Sequence, residues 1–186
     1  MYITPKKFLL FFISIMFLFL FNFFSIKKVN SAGESLVCPG LKMFKNWCAG
    51  EHIENNEKAC LVVARPQRSQ GNYTKRGTTT TTIYHLLTQD NQGVFYITAG
   101  YIYKNASFVT INIDKKNKFE LRLIENDSAW TDDDSIDQDI IKAMKKGNTM
   151  KVIGYSTRGT KTTDTYSLMG FTAAYKYISQ ICDITN

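Results

Sequence analysis

The sequence is poor in histidine, and His52 and His85 are the only two. Acid–base chemistry built on an imidazole must therefore use one of them. No G-x-S-x-G segment is present, which removes the strand-to-helix nucleophile turn of the α/β-hydrolases. Cysteine is limited to Cys38, Cys48, Cys60 and Cys182, spaced by 10, 12 and 122 residues. A zinc site needs pairs two to four residues apart, so the spacing argues against one. Acidic residues are missing from the first 31 positions, which hold Lys6, Lys7, Lys27 and Lys28. Setting that stretch aside leaves 19 basic against 16 acidic residues, and the formal charge falls from +7 to +3. A strongly basic nucleic-acid binder would keep its charge, so nucleic acid is not an expected partner. Internal repeats and a dividing linker are also lacking. With 44% apolar residues the chain is neither disordered nor collagen-like, and residues 32–186 suffice for one good core.

The N-terminus has its own character. Lys6 and Lys7 precede residues 8–26, FLLFFISIMFLFLFNFFSI. A charged start, an apolar stretch and small residues near Val29, Ser31 and Ala32 form the layout of a secretory signal. A cut after Ser31 places Val29 three residues before the scissile bond. The expectation is a cleaved signal over residues 1–31. The alternative is an uncleaved inner-membrane anchor facing the periplasm, since about 20 apolar residues span a bilayer. Both readings export the remainder, to the periplasm or the cell envelope. All four cysteines lie in that part, and an even count in an oxidising compartment reads as two disulfides.

Beyond the signal, residues 32–58 carry Gly33, Pro39, Gly40 and Gly50 without apolar period, and read as a loop-rich arm. Residues 59–186 read as a single domain. An apolar run from Cys60 stops at Pro66, as a buried strand would. Residues 66–77 are polar and read as a loop. Residues 78–88, TTTTTIYHLLT, are rich in β-branched residues and favour a strand. A turn is expected at residues 90–93, and a further strand at 94–98. Residues 107–113 alternate Val109, Ile111 and Ile113 against Phe108, Thr110 and Asn112. Residues 119–124 continue in kind, and the two make a hairpin. Ser135 and Gln138 form a capping box ahead of Ile136, Ile140, Ile141 and Met144, predicting a helix over about 135–146 that Gly147 stops. Strands at 150–157 and 163–169 follow, then a short helix over about 172–181. Seven or so strands, two short helices and no βαβ alternation predict a mainly antiparallel β-sandwich.

The C-terminal half carries a specific pattern. It runs Ala129-Trp130, Asp137, then Ile141-Lys-Ala-Met144-Lys-Lys-Gly147. Met150-Lys-Val152-Ile-Gly154-Tyr-Ser156-Thr-Arg158-Gly159-Thr160 follows. Thr163-Asp164-Thr-Tyr166-Ser167-Leu168-x-Gly170-Phe171 comes next, and Ala174, Ile178 and Cys182 close it. Trp47, Cys60, Pro66 and Gly100-Tyr101 add to it. In order and spacing this resembles the invasion-associated locus B family of alphaproteobacteria, over roughly residues 45–182. The resemblance implies an exported, immunoglobulin-like β-sandwich for which no reaction is established. The expected function is thus a non-catalytic, binding role in the cell envelope: host-cell contact in a pathogen, envelope maintenance otherwise. No cofactor is expected. Short members of the family usually show two cysteines, at the positions of Cys60 and Cys182. This resemblance implies the pairs Cys60–Cys182 and Cys38–Cys48.

Candidate sites remain to be weighed. His85 with Ser156 or Ser167 and Asp164 would be the components of a small periplasmic hydrolase, the second reading. The acids Asp132, Asp133, Asp134, Asp137 and Asp139 lack the alternation, glycine and closing glutamate of a calcium loop and suit the start of a helix. Arg65, Arg68, Lys75 and Arg76 around Tyr73 form a candidate patch for an anionic envelope or host surface, or for a protein. The turn at Arg158-Gly159-Thr160 either shapes the hairpin or cradles an anion with its N–H groups. Trp130, Tyr166 and Phe171 read as core anchors. A third reading is a structural envelope component that pairs through an open sheet edge at residues 78–82.

Overall fold

Alternating burial marks out the strands. The computed structural model describes residues 38–54, 57–86 and 92–184. The predicted signal and the first half of the turn at 90–93 lie outside them. The described elements are β1 (Lys42–Phe44), β2 (Trp47–Glu54), β3 (Glu57–Ala64), β4 (Arg68–Gly71), β5 (Thr80–Leu86), β6 (Gln92–Thr98), β7 (Val109–Ile113), β8 (Asn117–Leu121), β9 (Leu123–Glu125), β10 (Ser128–Trp130), α1 (Asp134–Lys146), β11 (Thr149–Tyr155), β12 (Lys161–Ser167) and α2 (Phe171–Ile181). One sheet has the order β1-β2-β3-β5-β6-β10-β9, the other β4-β12-β11-β7-β8. Every pairing between neighbours is antiparallel.

The core lies between the sheets. Val62, Ile83, Phe95 and Ile97 come from the larger one; Val109, Ile111, Ile113, Val152 and Tyr166 come from the smaller. Helix α1 contributes Ile140, Ile141 and Met144, and α2 contributes Phe171, Ala174 and Ile178. This is the mainly antiparallel sandwich with two helices that the sequence predicts. The β7–β8 hairpin turns at Asp114, whose carboxylate accepts the N–H groups of Asn148 and Thr149 at 2.9 and 2.8 Å. Those bonds hold its carboxyl below the usual carboxylate range.

Several expectations need correction. Residues 38–54 are not a loop-rich arm. They supply β1 and β2, and Trp47 is wholly buried against Phe171, ring centroids 4.8 Å apart. Strand β2 has no period of two because Trp47, Cys48, Ala49 and Gly50 are all buried, so neither face alternates with solvent. The polar stretch after Pro66 includes β4, an edge strand of the smaller sheet. The run from residue 119 to 124 is two strands in different sheets, with the crossing at Arg122. Ser135 does not cap α1. Asp133 does, its carboxylate accepting the Ser135 N–H at 2.8 Å, and a charged acceptor suits a helix N-terminus better than a hydroxyl. Gly147 ends α1 in an extended conformation, not a left-handed one. A Cβ there would lie 2.6 Å from Ile113 Cγ2, so close packing demands the glycine.

The open edge expected at residues 78–82 does not exist. Strand β5 lies inside the larger sheet, paired with β3 on one side and β6 on the other. Its threonines sit in the interior; Thr81 and Thr82 are buried. Two disulfides fasten the fold. Cys38 joins Cys48, and Cys60 joins Cys182, tying the end of α2 to β3. These are the pairs that the resemblance implies.

Candidate functional site

The pattern residues of the C-terminal half converge on the β11–β12 hairpin and what it grips. Gly159 turns the hairpin at φ +78°. Its N–H donates to the Ser156 carbonyl at 2.8 Å, the Ser156 N–H to the Thr160 carbonyl at 3.0 Å, and the Thr160 N–H to Ser156 Oγ at 3.2 Å. These N–H groups of Gly159 and Thr160 are thus spent on the turn and do not form an anion cradle; Arg158 projects from it, exposed. Gly154 lies under the Tyr103 ring, where a Cβ would come within 2.7 Å. Ser167 Oγ accepts from Asn46 Nδ2 at 2.9 Å, and its carbonyl accepts from Trp47 Nε1 at 3.0 Å, fastening β12 to the start of β2. Gly170 takes φ +94° to open α2, and a Cβ there would collide with the Phe44 carbonyl oxygen. Tyr166 and Phe171 are wholly buried, and Trp130 nearly so, stacked on Tyr96 at 5.8 Å.

Asp164 is the exception in chemistry. It is a carboxylate among apolar neighbours on the inner face of β12. Arg76 reaches it from the loop after β4, with Nη1 and Nη2 each 2.7 Å from one carboxylate oxygen. Its Nε donates to the Ala99 carbonyl at 2.7 Å. The side chains are 7% and 2% exposed. Above the guanidinium lie the rings of Tyr101, at 4.9 Å, and Tyr73, at 5.6 Å. Tyr101 Oη in turn meets Thr162 Oγ1 at 2.7 Å. Burial alone would pull the Arg76 pKa down. The hydrogen bonds and charge of Asp164 more than reverse this, and the net shift is upward. Arg76 is therefore a buried structural cation, and cannot serve the anionic patch expected around Tyr73. Of that group, Arg68 and Lys75 are exposed, Arg65 is half-buried, and Tyr73 is engaged with Arg76.

His85 is wholly buried in β5. Its Nδ1 accepts the Gly93 N–H at 2.9 Å, which assigns the proton of the neutral ring to Nε2. Ser179 Oγ lies 3.5 Å from Nε2 but donates to the Tyr175 carbonyl at 3.0 Å. Burial first, and the charge of Lys145 second, push the imidazole pKa down to about 4. A general base for a serine needs a free nitrogen facing the hydroxyl and a carboxylate on the other one. Here the other nitrogen is taken by a backbone N–H. Ser156, Ser167 and Asp164 belong to the opposite sheet, and Asp164 is saturated by Arg76. The structure does not assemble the expected hydrolase site. Of the acids before and within α1, Asp137 is buried. It accepts from Thr131 Oγ1 at 2.7 Å and from the Phe95 N–H at 3.3 Å, pinning α1 to β6. Among the described residues no three His, Cys, Asp or Glu side chains gather as metal ligands would.

A profile described as Invasion associated locus B (IalB) protein matches residues 47–179. The chain belongs to the invasion associated locus B family. It also superposes on the crystal structure of invasion associated protein B from Bartonella henselae, with a TM-score of 0.54. Identity is 15%, over 77% of this chain and 98% of that one. At that identity the likeness concerns the fold. No curated protein matches the sequence significantly. The IalB family is one of exported proteins. No helix of the described residues is long and apolar enough to cross a membrane.

The sequence pattern did not reveal one surface. The outward residues of the smaller sheet, including Lys118, Lys151 and Lys161, come together only once the strand order is known. The alternation within each strand is readable; the row across five strands is not.

Proposed function

We propose that this IalB-family chain is an envelope protein that acts by binding and not by catalysis. In a pathogen its surface contacts the host; elsewhere it serves envelope maintenance. The observation that carries the reading is where the specific residues are spent. Ser156, Gly159, Thr160, Asp164, Ser167 and Gly170 make turns, a buried ion pair and strand ties. His85 is sealed by Gly93 and Tyr175. The reactive groups are thus internal framework, and function falls to the exposed faces of a rigid, disulfide-tied sandwich. Residues 1–31 are taken as a cleaved secretory signal that delivers the domain to the periplasm or cell envelope.

The test is a photo-cross-linking scan in living cells, with the reactive residue placed in turn at exposed positions of both sheets and both helices. Discrete adducts from one face are expected. Absence of adducts from every face, together with a turnover abolished by His85→Gln, would overturn the proposal.

A further inference from the structure

Four strands of the smaller sheet, β12, β11, β7 and β8, turn one face to the core and the other outward, β4 at the edge is exposed throughout, and the helices pack elsewhere, α2 on β1, β2 and β3 and α1 chiefly on β6. Antiparallel register fixes which side chains share the outer face, since residues directly opposite point the same way. One row runs Arg68, Thr165, Lys151, Asn112, Lys118 across β4, β12, β11, β7 and β8. The next runs Gln70, Thr163, Ile153, Thr110, Glu120. Lys161 stands opposite Tyr155 at the end of the hairpin. Past Ile153 the partner of β11 changes: the Lys104 N–H donates to the Tyr155 carbonyl, so Lys104 stands opposite Tyr155, and Phe108 is placed by Arg122, which lies 5.7 Å from its ring.

With the residues just beyond the strand ends included, this face holds six basic side chains, Arg68, Lys104, Lys118, Arg122, Lys151 and Lys161, against two acids, Asp114 and Glu120. Its net charge of +4 exceeds the +3 of all residues 32–186. It carries six of the 19 basic residues of 32–186 but only two of the 16 acids. Lys118 and Arg122 both reach Glu120. Arg68, Lys151 and Lys161 are exposed and form no ion pair with any described residue. With neighbouring strands about 4.8 Å apart, Arg68, Lys151 and Lys118 follow one another at intervals of about 10 Å along the row.

One end of the face is apolar. Ile102 is 51%, Phe108 43% and Tyr155 40% exposed. Around the bridge between Tyr103 and Ser156, Ile102 stands opposite Thr157 and Lys104 opposite Tyr155, which makes Ile102 and Tyr155 diagonal neighbours: the Ile102 carbonyl accepts from the Thr157 N–H, and the Tyr155 carbonyl from the Lys104 N–H. A cationic sheet face ending in exposed aromatic and aliphatic side chains matches a bilayer. Cations meet lipid phosphates while the apolar group enters the headgroup boundary. An acidic polysaccharide would use the cations and leave Phe108 and Ile102 without purpose.

We propose that the outer face of the β4-β12-β11-β7-β8 sheet docks on a bilayer rich in anionic phospholipid. This deepens the binding reading by naming its partner, and its failure would leave the cross-linking result of that reading standing by itself.

The experiment uses the chain from Ser35, because Ser35–Asn186 is one compact unit with both disulfides and the whole described core. Its partitioning is measured by sedimentation with vesicles of phosphatidylglycerol and phosphatidylethanolamine, and with vesicles of phosphatidylcholine alone. Binding to the first only, weakening with salt, is expected. Each cation near an anionic surface is worth about fivefold in partitioning. Lys151→Gln with Lys161→Gln should therefore weaken binding about 25-fold. Phe108→Ser should weaken it without changing its salt dependence. All these side chains are exposed, and near-ultraviolet dichroism checks that the variants stay folded. Three results would overturn the proposal: no binding to anionic vesicles, equal binding by the double variant, or capture by dextran sulfate without capture by vesicles.

Discussion

Removing the carboxylate of Asp164 leaves the Arg76 guanidinium buried with only neutral partners, the Ala99 carbonyl and the Tyr73 side chain. The magnitude follows from the geometry. Two charge-assisted bonds of 2.7 Å are lost, and a side chain 7% exposed cannot regain water without opening the loop that carries it. Breaking a buried pair from one side costs about 3–5 kcal/mol. For a domain of this size that lowers Tm by about 6–20 °C. Asp164→Ala is therefore expected to lose about 3–5 kcal/mol in urea unfolding with the disulfides intact, followed by near-ultraviolet dichroism. Replacing both partners, Arg76→Met with Asp164→Leu, removes the stranded charge and should recover most of the loss. The double-mutant cycle thus gives a coupling of several kcal/mol. An Asp164→Ala cost below about 1 kcal/mol would refute the reasoning, because that is the worth of a solvated surface pair.

Other predictions follow from single features. His85 has its pKa lowered to about 4 in the folded state, against about 6.5 in the unfolded chain. The unfolded chain binds the extra proton between those values, so stability falls as pH drops from 6.5 to 4, by up to about 3 kcal/mol. Stability curves of the parent and of His85→Gln, measured against pH, check this; equal slopes would contradict it. Replacing Cys60 and Cys182 with alanine opens a loop of 122 residues and should cost about 4–5 kcal/mol, while the same change at Cys38 and Cys48, 10 apart, should cost about 2.5–3. Denaturant midpoints of the two variants settle the order. Gly170→Ala should unfold the α2 start or the whole domain, because both φ and the Phe44 carbonyl oppose a Cβ. Gly159→Asn should cost no more than about 1 kcal/mol, since open space surrounds Gly159 and asparagine tolerates positive φ. Comparing the two melting temperatures is enough.

What the sequence made legible was local. Strand β7 reads plainly because Val109, Ile111 and Ile113 face the core while Thr110 and Asn112 face outward. Helix α1 reads from Ile140, Ile141 and Met144 on one stripe. Strand β2 did not read, because residues 47–50 are covered on both faces and carry no period of two. The threonine run before Ile83 looked like an edge because threonine suits a half-wet pleat, yet sheet order placed it between β3 and β6. Arg76 looked like one member of a basic patch on a polar loop. Its partner Asp164 is 88 residues away, and no local pattern reports such a pair. The resemblance supplied the disulfide pairing for the same reason: a contact spanning 122 residues leaves no local signal.

The central claim is that this domain is exported and works through its surface outside the inner membrane. A membrane-impermeant amine label tests it most directly, applied to whole cells, to cells with only the outer membrane opened, and to lysed cells, with intact mass taken from each sample. Labelling of the exposed lysines before the inner membrane is breached, on a chain shortened near Ser31, is the predicted result. Labelling that appears only after lysis, on a chain of full length, would contradict the account.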